Sequence, residues 1–309
     1  MGRVHRRRLA PVLAVASALS ASLAACSSEP PAASAPATLP PTASPAAPPS
    51  AAGSPTAAPL PGAAPDQAFA VETRTLRLTR GADRPLPTTV WLPQGDGPFP
   101  LILFSHGLGG KPSDYRELLT TWARAGFVVA APAYPHTSAS AAEFNVLDVI
   151  NQPSDASYVI TETLAKLGGA VDKSRIAAAG HSAGGVTTLG LFSGNRDTRL
   201  RAGVVLAGRQ ILPQPFTGSE APMLFVHGRK DATVAYADGQ AAYAAVQWPK
   251  AFLTVTDGGH VASGRSLDVI ARTSADFWRW TLYGDETARD RLEPDAARGG
   301  LATLQDRLG

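Results

Sequence analysis

From residue 69 onward the chain alternates two kinds of apolar block. Short continuous runs, such as Leu101-Ile102-Leu103-Phe104 and Phe127-Val128-Val129-Ala130-Ala131, have the composition of strands buried on both faces. Between them lie longer segments with helical spacing. Strands are predicted at Phe69–Thr79, Thr88–Leu92, 101–104, 127–131, Arg175–Ala179, Ala202–Leu206, Met223–His227 and Phe252–Thr256. Helices are predicted from a Ser113-Asp114 cap to about Ala125, and at Ser154–Leu167, Ala183–Phe192, Asp238–Val246 and Leu267–Leu282. Gly126 and Gly168-Gly169 mark two helix ends. The alternation predicts an α/β fold, a mostly parallel central sheet with helices on both faces. Active sites of such sheets lie beyond the carboxyl ends of the strands. In the tail, 284–309, Leu292, Leu301, Leu304 and Leu308 have partly helical spacing, which predicts a docked helix.

The first 68 residues have a different pattern. Arg3-Val4-His5-Arg6-Arg7-Arg8 precedes a short apolar stretch and then small residues. That is the layout of an export signal, and the apolar run is too short to span a bilayer. The Arg7-Arg8 pair is a weak hint of twin-arginine export. The segment Leu23-Ala24-Ala25-Cys26 resembles a bacterial lipobox and contains the only cysteine in the chain. The resemblance implies lipidation of Cys26 and anchoring on the outer side of the cytoplasmic membrane. Residues 27–68 hold 12 Pro and 14 Ala and no aromatic residue. Such a segment lacks the apolar surface to offset its ordering entropy and is expected to act as an extended tether. The expected organisation is therefore a signal (1–25), a tether (26–68) and one folded domain (69–309) with its core at about 85–283.

The formal charge of +3 overstates the basicity of the mature chain. Arg3, Arg6, Arg7 and Arg8 account for four of 28 basic residues, leaving 24 against 25 acidic ones. This balance gives no electrostatic footprint for nucleic acid. A single cysteine excludes an internal disulfide, and its place outside the folded part excludes a thiol nucleophile there. No metal site is expected. The domain is expected to be monomeric.

Gly180-His181-Ser182-Ala183-Gly184 is a G-x-S-x-G motif between a strand and a helix. This is the context of a nucleophile elbow, a sharp turn that needs small neighbours. Ser182 is the candidate nucleophile, and it requires a base. Of the six histidines, His260 sits best, after Asp257-Gly258-Gly259 and the last predicted strand. Asp231, just past strand 223–227, is the favoured acid, with Asp257 as a rival. The order Ser182, Asp231, His260 is that of α/β-hydrolases. Oxyanion donors are expected from the backbone N–H groups of Ala183 and Leu108, with Gly107 allowing close approach and His106 bracing the loop. His181 and His227 are read as structural. The segment from Pro132 to Pro153 is expected to roof or rim the pocket through Tyr134 and His136.

Taken with Phe99-Pro100-Leu101-Ile102-Leu103-Phe104-Ser105-His106-Gly107, these motifs resemble the lidless α/β-hydrolases. That group spans dienelactone-hydrolase-like, chlorophyllase-like, platelet-activating-factor-acetylhydrolase-like and cutinase-like enzymes. The resemblance covers about residues 85–283. It implies an α/β-hydrolase fold without a large lid domain, and cofactor-free hydrolysis of a small-molecule, lipid or polyester ester through an acyl-enzyme. Serine stands where dienelactone hydrolase has cysteine. Ala183 and Leu108 stand where polyesterases have methionine and an aromatic residue. The alternatives are an inactive exported binding protein on the same fold, and a serine peptidase acting on amides.

Overall fold

The computed structural model describes residues 63–309. Cys26, the export signal and most of the predicted tether lie outside the described residues.

The elements in chain order are β1 (Ala70–Leu76), β2 (Thr79–Arg80), β3 (Arg84–Pro85), β4 (Thr88–Gln94), β5 (Phe99–Ser105), α1 (Arg116–Arg124), β6 (Val128–Pro132), α2 (Gln152–Leu167), β7 (Val171–His181), α3 (Ala183–Phe192), β8 (Leu200–Leu206), β9 (Met223–Gly228), α4 (Tyr236–Ala245), β10 (Lys250–Val255), α5 (Gly264–Tyr283), α6 (Glu286–Ala297) and β11 (Ala302–Arg307). Nine strands form one sheet in the order β1-β4-β6-β5-β7-β8-β9-β10-β11, and β2 and β3 pair separately. The six strands from β6 to β10 are mutually parallel. Antiparallel strands close both edges: β1 and β4 at one, β11 at the other.

The parallel strands explain the unbroken apolar runs. All seven residues of β5 and all five of β6 are buried, because helices cover both faces. One core lies under α1, α5 and α6 and includes Phe104, Trp122 and Trp278. The other lies under α2, α3 and α4 and includes Phe192, Phe225 and Tyr243. Trp122 and Trp278 meet edge to face at 5.7 Å, tying α1 to α5. Gly126 ends α1 with φ +98°, a left-handed turn that glycine adopts without Cβ strain.

Three expectations are corrected. The Ser113-Asp114 cap does not start the α-helix; a 3₁₀ turn at Pro112–Tyr115 precedes it, and the Asp114 carboxylate accepts the Lys111 N–H instead. The run Phe69–Thr79 is not one strand: β1 stops at Leu76, and Thr79-Arg80 turns into the β2–β3 hairpin. The tail is more than a docked helix. After α6 the chain turns through Gly299 and Gly300, both at positive φ, and β11 pairs antiparallel with the whole length of β10. Its exposed polar positions, Thr303, Gln305 and Asp306, keep that outer edge solvated, as edge strands require.

Candidate active site

The site grows from the turn between β7 and α3. Ser182 has φ 57° and ψ −118°, a strained conformation for a residue with a Cβ. Close packing leaves no room for side chains around it. A Cβ on Gly180 would run into the Gly184 backbone, and one on Gly184 would run into the Ser105 carbonyl at the end of β5. The glycines of the motif thus let β5, β7 and α3 converge. Helix α3 begins immediately after the serine, and its first intrahelical bond is Val186 N–H to the Ser182 carbonyl. The Ala183 N–H is therefore one of the free donors of the first turn.

The loop after β5 is the expected place of a second donor. Gly107 N–H donates to the Tyr115 hydroxyl (3.0 Å), Gly109 N–H to the Thr137 carbonyl (2.8 Å) and Gly110 N–H to the Gly107 carbonyl (3.0 Å). Leu108 N–H has no acceptor among the described hydrogen bonds. His106 braces this loop from inside. Its Nδ1–H donates to the Gly107 carbonyl (2.8 Å), and its Nε2 accepts the Tyr134 N–H (3.1 Å). That pattern needs a neutral ring, and burial pushes His106 down in pKa.

Asp231 and His260, the expected acid and base, follow β9 and β10. Asp231 Oδ2 lies 2.8 Å from His260 Nδ1. Asp231 Oδ1 accepts N–H bonds from Thr233 (2.8 Å) and Val234 (2.9 Å). Burial pushes the Asp231 carboxyl up, but the His260 bond and the Val234 and Thr233 donors outweigh it and hold the group below the ordinary carboxylate range. An ionised Asp231 only accepts, so the proton of a neutral His260 ring sits on Nδ1 and Nε2 is left as the acceptor. His227 stands behind the pair: its Nε2 lies 3.0 Å from the Val234 carbonyl and 3.3 Å from Asp231 Oδ2. Asp257, the rival acid, instead pairs at 2.6 Å with the exposed Lys230.

Ser182 and His260 line one cleft of about 670 Å³, together with Leu108, Tyr115 and His181. No hydrogen bond joins the serine hydroxyl to His260 among the described residues. The Asp231 side chain is fully buried behind the imidazole. The expected roof is not there. Tyr134 is wholly buried, its hydroxyl 2.7 Å from that of Ser105. Neither Tyr134 nor His136 lines the cleft. The 133–151 segment folds back because Gln152 ties it down: its amide donates to Thr137 (2.6 Å) and accepts from Thr187 of α3 (2.5 Å). The cleft wall comes instead from the 107–118 and 257–270 segments. Tyr115 was not singled out by any motif, and nothing in its spacing marks it. It joins the site only because the 3₁₀ turn carries it under the β5 loop.

A mostly parallel sheet of this order, with helices on both faces and a tight strand–helix elbow after its central strand, is the α/β-hydrolase fold. Residues 61–208 match the family model described as Chlorophyllase, a family of that fold. The matched stretch contains the β5 loop and the Ser182 elbow but ends before Asp231 and His260. No curated protein matches the chain.

Proposed function

We propose that the protein is a serine esterase in which Ser182, His260 and Asp231 act as nucleophile, base and acid. His260 Nε2 takes the Ser182 proton as the hydroxyl oxygen attacks the ester carbonyl. Asp231 keeps the opposite proton on Nδ1 and stabilises the imidazolium. The N–H groups of Ala183 and Leu108 receive the oxyanion. The imidazolium then protonates the leaving alcohol, and water repeats the sequence to release the acid. One observation carries this reading: the buried Asp231 carboxylate is bonded to Nδ1 of His260, and His260 shares one cleft with the strained Ser182 and with Leu108, whose N–H has no acceptor among the described hydrogen bonds.

The cleft suits an ester with an apolar acyl group. Leu118, Leu206 and Ile270 line it, and Leu108 and Val261 flank it with 44% and 74% of their surface exposed. With no roof among the described residues, the opening favours small or extended esters over a fully enclosed substrate.

The test is hydrolysis of a chain-length series of p-nitrophenyl esters, with fluorophosphonate labelling. Ser182→Ala is expected to lose labelling and to drop kcat by roughly four to six orders of magnitude while the circular dichroism spectrum is retained. Unchanged ester turnover in that variant rules the assignment out. Cleavage of p-nitroanilides in preference to esters makes the protein a peptidase, and absence of labelling in the unmutated protein makes it a binding protein. We further propose export and lipid anchoring through Cys26. Incorporation of an alkynyl palmitate into the unmutated chain, abolished in Cys26→Ala, is the expected result.

A further inference from the structure

A chain of hydrogen bonds links the oxyanion loop to the backbone of the base, and each bond in it has only one possible direction. His181 Nε2 lies 2.7 Å from the His260 carbonyl oxygen. A carbonyl only accepts, so Nε2 carries the proton. In a neutral ring Nδ1 must then accept, and the group 2.9 Å from it is the Tyr115 hydroxyl. That hydroxyl donates to Nδ1 and uses an oxygen lone pair to accept the Gly107 N–H at 3.0 Å. Burial pushes the His181 ring down to about 4 and raises the Tyr115 phenol, so both groups keep these roles at neutral pH.

The packing around this chain is tight. The Tyr115 ring lies 4.7 Å from that of Phe104 on β5, and the His181 ring lies 4.8 Å from that of His260. A Cβ on Gly107 would stand 3.2 Å from both His181 Nδ1 and Ser182 Cβ. Gly107 immediately precedes the proposed oxyanion donor Leu108. Two parts of the reaction centre that come from distant stretches of the chain are thus held at a fixed separation by two side chains.

Resting on the esterase reading, we propose that Tyr115 and His181 are positioning residues, a single strut that sets the oxyanion loop and His260 against each other around Ser182. Neither residue exchanges a proton with the substrate. Breaking the strut anywhere loosens the transition-state geometry while leaving the walls that bind the acyl group in place. Small misplacements of reacting groups cost roughly up to a hundredfold in rate.

Steady-state kinetics on p-nitrophenyl butyrate test this in four variants: Tyr115→Phe, His181→Leu, His181→Gln and the Tyr115→Phe/His181→Leu double. Each break is expected to lower kcat about tenfold to a hundredfold with KM within about twofold. The double variant is expected to be no worse than the worse single, because a strut already cut has nothing more to lose. His181→Gln is expected to recover much of the loss, since its amide N–H can still donate to the His260 carbonyl. Multiplicative losses in the double, unchanged kcat, or Gln no better than Leu overturns the proposal. The Gln and Leu pair also decides the matter if Tyr115→Phe does not fold. Nitrogen-15 imidazole NMR supplies an arm independent of turnover. His181 is expected as the neutral ring with its proton on Nε2, and a proton on Nδ1 refutes the strut whatever the protein hydrolyses. Absence of ester turnover together with the Nε2–H ring defeats the esterase reading while leaving the hydrogen-bonded link intact.

Discussion

Two buried aspartates, in different parts of the molecule, are driven in opposite directions. Asp231 sits behind His260, with two backbone N–H groups aimed at one oxygen and His227 beside the other. Burial opposes its charge, yet the donors hold it below the ordinary range. Asp276 lies in the seam between α5 and α6. Burial raises it, Arg291, which donates to it at 2.7 Å, pulls it back, and the neighbouring Asp295 carboxyl raises it again, so that the group is pushed up to about 6. Arg291 is also partly open to water, which weakens its pull. Burial is therefore not what makes a carboxylate a dependable anion. Well-placed donors do that, here the His260 ring first and two backbone N–H groups with it, and a second carboxylate undoes it. In the proposed reaction the protein needs a permanent anion behind an imidazole, and the Asp231 corner is built for that.

Asp231→Asn gives the largest expected contrast. Thr233 and Val234 both donate to Oδ1, so the asparagine must place its carbonyl oxygen there. Its NH₂ then faces His260 Nδ1, which becomes an acceptor and moves the ring proton to Nε2. The base is lost without loss of packing, and kcat is expected to fall by roughly 10⁴. Asp276→Asn is expected to change kcat less than twofold. Steady-state kinetics on the two variants break the comparison if both lose activity alike.

Removing the partner instead of the acid sharpens it. His260→Ala leaves Asp231 its two N–H donors and the nearby His227, so stability is expected to shift by less than about 1 kcal/mol. Arg291→Ala leaves Asp276 and Asp295 facing each other with less compensation. A loss of about 1–2 kcal/mol is expected, seen as a drop of a few degrees in Tm. A larger loss in His260→Ala than in Arg291→Ala contradicts the account of the two corners.

Much of this corner was legible in the sequence because its chemistry is local or ordered along the chain. The Gly180–Gly184 elbow declares itself through small residues between an apolar strand and a helix, and α3 runs over the predicted residues, Ala183–Phe192. The central strands were equally readable, since burial on both faces writes an unbroken apolar run. The edges were not. In β11, Ala302-Thr303-Leu304-Gln305-Asp306-Arg307, few positions are buried, and the pairing with β10 is by backbone atoms that leave little mark on side-chain choice. Tyr134 looked like a rim residue because it follows a strand end. It is buried because its hydroxyl finds Ser105, a partner 29 positions away that no local pattern announces. Tyr115 was invisible for the same reason.

The smallest expected effect is also the most specific to the α5–α6 seam. A carboxyl whose folded pKa is raised binds its proton more tightly in the folded state than in the unfolded one. Its contribution to stability is fully present below the ordinary value near 3.8 and is lost as pH climbs through about 6. Asp231, with its lowered pKa, has the opposite sign: its contribution is present above the ordinary value and lost as pH falls through the folded one. Asp276→Asn mimics the protonated state of the seam, because Oδ1 still accepts from Arg291 and the amide N–H can face Asp295. The stability difference between variant and unmutated protein cancels every other titrating group. Measured by urea unfolding from pH 4.5 to 7.5, that difference is expected to move in favour of the asparagine as pH rises, most steeply around pH 6. A difference that stays flat across the range means that the two carboxyls of the seam share no proton, and the contrast with Asp231 is then one of geometry alone.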